Sequence, residues 1–394
     1  MAATETGVWD LQDVRDKQLE SEWSYDANDP HTLYAWGRDS QGELGLNYKA
    51  PGSGGSRSSP TQVGTNSNWN TVADGKESNF TIGTKTDGTL WSWGYGNQGE
   101  LGQGSTSDGR SSPIQIPGTT WSKNISTGEN FAMATKTDGT LWGWGKNPDG
   151  SLGLNDNVKY SSPMQVGTDT TWKYVACVNK SSLATKTDGT LWAWGDNGQG
   201  QMGHNSKTKY TSPKQVGADT NWTAVSSQWY SSFGVKTDGT LWSWGSNGNA
   251  QLGHNNGTSY SSPMQLPGTF PTGGTGYTAS GGRYHAAILN SAGELYTMGS
   301  NNEGQLGHNN RTNYSSPRQV PGSWKYLITS DEATAAIKTD GTMWAWGHNE
   351  YGEVGNNKSG PSNNGISSPT QVGTLDGFAT MGSAQHSFFG LREA

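Results

Sequence analysis

The chain has 394 residues, of which 30% are hydrophobic, 10% aromatic and 15% charged, with 58 glycines and a formal net charge of −7. So little charge beside so many aromatics excludes a disordered chain, and 26 basic against 33 acidic side chains argues against nucleic acid as a partner, which wants a basic patch or stripe. The single cysteine, Cys177, excludes an internal disulfide, and no apolar run approaches the roughly 18 residues of a membrane-spanning helix.

Residues 1–30 are the first unit. Met1-Ala2-Ala3-Thr4-Glu5 has neither the basic start nor the apolar stretch of a secretion signal, so no export leader is expected. Asp10 can cap a short helix running to Leu19, with acidic residues in its first turn as the helix dipole prefers. Leu11, Val14 and Leu19 form a thin apolar stripe flanked by Trp9 and Trp23. Two tryptophans on a short polar arm want burial, and these five residues are the candidate anchor, packed on the rest of the chain or on another protein. Asp29-Pro30 marks the break before the first strand.

From residue 31 to 394 a repeat takes over. Thr89-Leu90-Trp91-Ser92-Trp93-Gly94 has seven versions, whose final glycines (Gly37, Gly94, Gly145, Gly195, Gly245, Gly299, Gly347) are 57, 51, 50, 50, 54 and 48 residues apart by subtraction. A near-fixed period of this size means a propeller, solenoid or array. With a strand's alternation, Trp91 and Trp93 share one face and Leu90 and Ser92 the other. The residue between the aromatics is always small, so the bulky side of one sheet is expected to fill the shallow side of the next. Each tryptophan can bury on the order of 150–250 Å², enough to replace the missing aliphatics.

Each unit has three further parts. An aromatic opens a first strand (Trp69, Trp121, Trp172, Trp222, Tyr277, Trp324, Phe378). A second strand ends in Lys-Thr-Asp-Gly, at Lys85, Lys136, Lys186, Lys236 and Lys338, where Asp-Gly predicts a two-residue hairpin with positive φ at both positions. After a glycine loop comes Ser-Pro-x-Gln, whose proline suits an outer edge strand. Four short strands per unit is the pattern of a propeller blade. The N-terminal side enters at a third strand, His31-Thr32-Leu33-Tyr34-Ala35-Trp36, and the C-terminal side supplies a first and second, Phe378-Ala379-Thr380-Met381 and Ser387-Phe388-Phe389-Gly390-Leu391. Together they complete one blade and leave no unpaired edge. The expectation is an all-β, seven-bladed propeller spanning 31–394.

Lys-Thr-Asp-Gly-Thr-Leu-Trp-x-Trp-Gly-x-Asn-x-x-Gly-Gln-Leu-Gly-His resembles the repeat of the regulator of chromosome condensation family. That resemblance implies the seven-bladed propeller with a blade shared between the two ends. Family activities include nucleotide exchange on a small GTPase, plant ultraviolet-B reception and many interaction roles, some bacterial or viral. The exchange factor's wedge and the photoreceptor's Gly-Trp-Arg-His-type motif have no counterpart here, so neither activity is carried over. The arm from Gly7-Val8-Trp9-Asp10-Leu11-Gln12-Asp13-Val14 to Glu22-Trp23 resembles openings of structural proteins of marine tailed bacteriophages.

His204, His254 and His308 recur in Gly-His-Asn, but one position on separate blades does not converge on a metal, and they read as turn residues. Tyr160, Tyr210, Tyr260 and Tyr314 read as packing at the blade rim, and Cys177 as a buried structural thiol. No cofactor or metal site is expected. The candidate binding face is where the copies differ, between first and second strands: Asn79, Glu129, Asn130, Lys180, Gln228, Trp229, Tyr230, Arg283, Tyr284, Asp331, Glu332 and Gln385. Trp229 and Tyr230 with polar neighbours are what a glycan or peptide surface offers. The functional expectation is a non-enzymatic binding or structural module, a bacteriophage virion protein of tail or capsid. Its arm would hold other virion proteins and its face a host-surface glycan or protein, with no membrane insertion. The alternative is an intracellular scaffold or GTPase-regulator-like propeller.

Overall fold

In the computed structural model, residues 31–393 are described apart from 49–54, 74, 76–77, 107–108, 268–277 and 361–364. Trp9, Leu11, Val14, Leu19, Trp23 and Tyr277 lie outside the described residues. Among the described residues the repeat resolves into 28 strands and no α-helix. Six blades follow one another as four antiparallel strands each, spanning 69–116, 121–165, 172–215, 222–265, 278–320 and 324–371. The seventh takes Phe378–Ala384 and Ser387–Glu393 from one side of the chain and His31–Gly37 and Arg57–Gln62 from the other. Its central pairing runs unbroken from His31 opposite Glu393 to Gly37 opposite Ser387. The shared blade expected from the sequence is therefore present.

The Lys-Thr-Asp-Gly hairpins correct one expectation. Gly88, Gly139, Gly189, Gly239 and Gly341 have positive φ, but the preceding aspartates do not. Gly88 N–H donates to Lys85 O at 3.0 Å and Lys85 N–H to Thr89 O at 2.9 Å, which makes a three-residue loop: a type I turn closed by a left-handed glycine. The aspartate is kept for its side chain instead. Asp87 Oδ1 accepts the Thr89 N–H at 3.0 Å and hydroxyl at 2.6 Å, and Thr89 in turn accepts the Trp91 indole N–H at 2.8 Å. The lysine lies over that indole, with Lys85 Nζ 4.0 Å from its ring centroid.

The paired aromatics pack as their alternation requires. Trp69 meets both Trp91 and Trp93 edge-on, at 6.4 and 5.6 Å. Between blades, Trp144 and Trp121 of the second fill the shallow side of the first, against Ile82, Leu90 and Ile116. Trp93 does the same for the closing blade, against Leu33, Ala35 and Leu391. The proline strands are the outermost of their blades and carry a register shift, as at Tyr160–Met164. Cys177 is buried, and burial pushes its thiol up to about 12.

Candidate loop-face site

The loops between first and second strands are joined across blade boundaries by their own backbones. Glu129 N–H donates to Asn179 O at 2.7 Å, Arg283 N–H to Asp331 O at 2.7 Å, Asp331 N–H to Gln385 O at 3.0 Å, and Gln385 N–H to Ser78 O at 3.2 Å. Side chains divide the resulting rim into three sectors.

The first sector is charged. Glu129 pairs with Lys146 at 2.7 Å and approaches Lys180 at 4.0 Å. Partly exposed pairs of this kind set a local charge pattern more than they stabilise. Asn130 and Asn179 hold left-handed turns, φ 61° and 46°, a conformation asparagine tolerates better than most residues.

The second sector is aromatic. Trp229 and Tyr284 stack with planes 11° apart and centroids at 6.1 Å, and Tyr230 lies 5.9 Å from Trp229. The Arg283 guanidinium sits 3.9 Å from the Trp229 centroid and 5.1 Å from that of Tyr284. All four side chains are half-buried, so this shelf is held by its neighbours yet open to a partner.

In the third sector, Arg283 Nη1 is 4.0 Å from Asp331 Oδ2, and His386 Nε2 approaches the same oxygen at 3.9 Å. Burial raises Asp331 to about 6 against the opposing charges of His386 and Arg283. His386 Nδ1 then faces Glu353 Oε1 at 3.5 Å, and His348 Nδ1 faces it at 2.7 Å. Burial alone would lift the Glu353 carboxyl, but hydrogen bonds and charge from the two histidines hold it below its ordinary value. Burial depresses His348, and its bond to Glu353 more than restores it, so its pKa is raised. Tyr351 lies 5.3 Å from His386, with Arg38 over its ring at 5.7 Å.

Two residues assigned to the face are not on it. Gln228 is fully buried and donates Nε2–H to His285 O of the next blade at 2.7 Å, acting as a strut. Asp331 is 2% exposed and supports the rim from beneath. Asn79 turns its Oδ1 inward, while Gln385 Oε1 accepts from Arg38 at 3.2 Å and Glu332 O accepts from His348 N–H at 2.9 Å. Sequence reasoning missed His348, Glu353, Tyr351 and Arg38. For Arg38 and His348 the signal was a second variable column, directly after the glycine of the paired-aromatic strand, occupied by Arg38, Tyr95, Lys146, Asp196, Ser246, Ser300 and His348. His204, His254 and His308 each bond inside their own blade, to Ala193 O, Ser243 Oγ and Thr297 Oγ1, and meet Tyr210, Tyr260 and Tyr314 edge-on at 5.1–5.4 Å.

The RCC1-like domain model matches residues 32–389. The chain belongs to the RCC1-like domain family. The RCC1-like fold is shared with Prp20p of Saccharomyces cerevisiae, at TM-score 0.81, 19% identity and 94% of each chain. It is shared with human WBSCR16 at TM-score 0.79 and 20% identity, over 92% of this chain and 100% of that one. Among curated relatives, a Caenorhabditis elegans X-linked retinitis pigmentosa GTPase regulator homolog is 36% identical over 78 residues, 19% of this chain and 6% of the relative. The Arabidopsis thaliana ultraviolet-B receptor UVR8 is 32% identical over 124 residues, 31% of this chain and 27% of the relative. The chain spans under a third of the length of these two curated relatives. This RCC1-like chain is thus a β-propeller of that family.

Proposed function

We propose that the chain is a non-enzymatic, protein-binding propeller of the GTPase-regulator or scaffold kind, and that its partner docks on the loop face at Trp229, Arg283 and Tyr284. The observation that carries this is the Arg283 guanidinium held 3.9 Å from Trp229 beside a parallel Tyr284. Trp, Tyr and Arg dominate protein–protein hot spots, and side chains already held in place lose little freedom on docking. Relatives favour the same reading: one is a GTPase regulator homolog, and Prp20p was solved in work on its binding to Gsp1p and histones.

The test is calorimetric titration of the purified chain with nucleotide-free small GTPases from its source organism, repeated with Trp229→Ala and Arg283→Ala. Saturable binding that both variants weaken at least about tenfold supports the reading. Binding that neither variant changes moves the site elsewhere, and no binding to any GTPase removes the regulator half of the proposal.

A second reading, a virion protein tethered by residues 1–30, is favoured by the resemblance of Gly7 to Trp23 to phage structural proteins. Immunogold labelling of particles separates the two, since a virion protein marks a defined position and a regulator marks none.

A further inference from the structure

His348 follows the third strand of the sixth blade, Glu353 lies in the glycine loop beyond it, and His386 sits in the turn of the closing blade. One nitrogen from each ring and one carboxylate oxygen lie within 4.8 Å of one another. A tetrahedral site with ligand bonds of about 2.0–2.1 Å keeps its donors roughly 3.3 Å apart. The His386–Glu353 separation of 3.5 Å already suits that geometry, and the His348–Glu353 separation of 2.7 Å needs only a small opening.

The far side of each ring supplies an independent observation. His386 Nε2 faces Asp331 Oδ2 at 3.9 Å and His348 Nε2 faces Glu350 Oε2 at 3.7 Å. A carboxylate behind the non-ligating nitrogen is how metal-binding imidazoles are fixed in tautomer and orientation. Asp331 is a buried carboxylate whose Oδ1 has no hydrogen-bond partner, an arrangement costly to keep unless it orients something. Glu353 is oriented as well: its Oε2 accepts the Tyr351 N–H at 2.9 Å, which leaves Oε1 aimed at both rings.

We propose that His348, Glu353 and His386 form a site for a divalent transition-metal ion, with Zn²⁺ best suited to two imidazoles and one carboxylate. Asp331 and Glu350 are its outer carboxylates, and a fourth coordination position is left for water or a donor from a bound molecule. The ion would clamp the sixth blade to the closing blade. The inference goes beyond the docking reading and does not rest on it.

Untagged, metal-free protein titrated with Zn²⁺ by calorimetry, and with Co²⁺ by visible absorption, tests the site. Stoichiometric binding with the strong absorption of tetrahedral Co²⁺ is expected. Glu353→Gln and His386→Ala should each weaken it at least about tenfold, and His254→Ala, on another blade, should leave it unchanged. Glu353→Gln is a safe variant to fold, because Gln201, Gln251 and Gln305 hold the same place in their blades and accept the equivalent N–H at 2.9, 3.0 and 2.9 Å. No saturable binding, or binding that survives both variants, overturns the proposal and leaves the cluster a charge-paired brace.

Discussion

The indole N–H of Trp244 lies 2.8 Å from the main-chain oxygen of Gln201, in the glycine loop of the preceding blade. Trp93, Trp144, Trp194, Trp346 and Trp36 make the same bond to Glu43, Glu100, Ser151, Gln305 and Glu353, at 2.8–2.9 Å. The last of these crosses from the closing blade to the sixth. Stacking in this ring is thus directional as well as hydrophobic. Trp244→Phe keeps most of the buried ring and deletes the bond. Because Gln201 O also accepts from Ser232 Oγ at 2.8 Å, it is not left bare, and the expected loss is about 1 kcal/mol in denaturant unfolding.

Asp39 stands where five other blades carry asparagine. Asn147, Asn197, Asn247, Asn301 and Asn349 accept the N–H five residues on and donate Nδ2–H to the carbonyl nine residues on. Asp39 Oδ1 accepts from Leu44 at 3.0 Å, but Oδ2 is buried without a partner, and burial raises the carboxyl from 3.8 to about 7. A raised carboxyl pKa means the folded state holds a proton that the unfolded state has lost, so its contribution is full below about 4 and fades as pH rises through about 7. Asp39→Asn should therefore stabilise the chain by roughly 1–3 kcal/mol at pH 8, with less gain at pH 4. Thermal midpoints at the two pH values check this, and an equal gain at both would refute it.

Arg283→Ala should separate recognition from folding. The side chain is half-exposed, so the unfolding midpoint should shift little. Removing its charge takes away one of the interactions that hold Asp331 down, so the Asp331 pKa, now about 6, should rise. Carboxyl-carbon NMR titration reads it, and an unchanged value would show that the 4.0 Å approach carries no coupling.

Gly94→Ala should be far more damaging than its size suggests. Its φ is 101°, where side chains are disfavoured, and an added Cβ would lie 2.6 Å from Phe80 Cα and 2.7 Å from Asn79 O. The equivalent glycine in all seven copies has φ between 98° and 103°. A loss well above about 1 kcal/mol is expected, seen as a lowered midpoint or loss of soluble protein.

Most of the fold was legible because a strand's alternation and a period near 50 residues determine which side chains can be stacked. The hairpin detail was not, since Asp-Gly serves both a two-residue and a three-residue loop, and only the pairing of Lys85 with Thr89 distinguishes them. For the site, position along the chain located the rim but not the direction of a side chain. Gln228 and Trp229 are neighbours, and one is a buried strut while the other opens on the surface. The grouping of His348 and Glu353 with His386 stayed hidden for another reason: the three come from two blades, and Glu353 occupies a column whose other members merely close a glycine loop.

The closing blade sets His31 opposite Glu393, so the two ends of the ring lie side by side at one end of a sheet. Where the polypeptide is cut is then a choice independent of the architecture. A short linker from residue 393 to residue 31, with a new opening in the loop between the strands Tyr160–Gln165 and Trp172–Val178, would give a circular permutant in which every blade is made of consecutive strands. In the natural order, residues 378–393 must be synthesised before the strand at residues 31–37 gains its central partner. Until then an unpaired strand edge is exposed throughout translation.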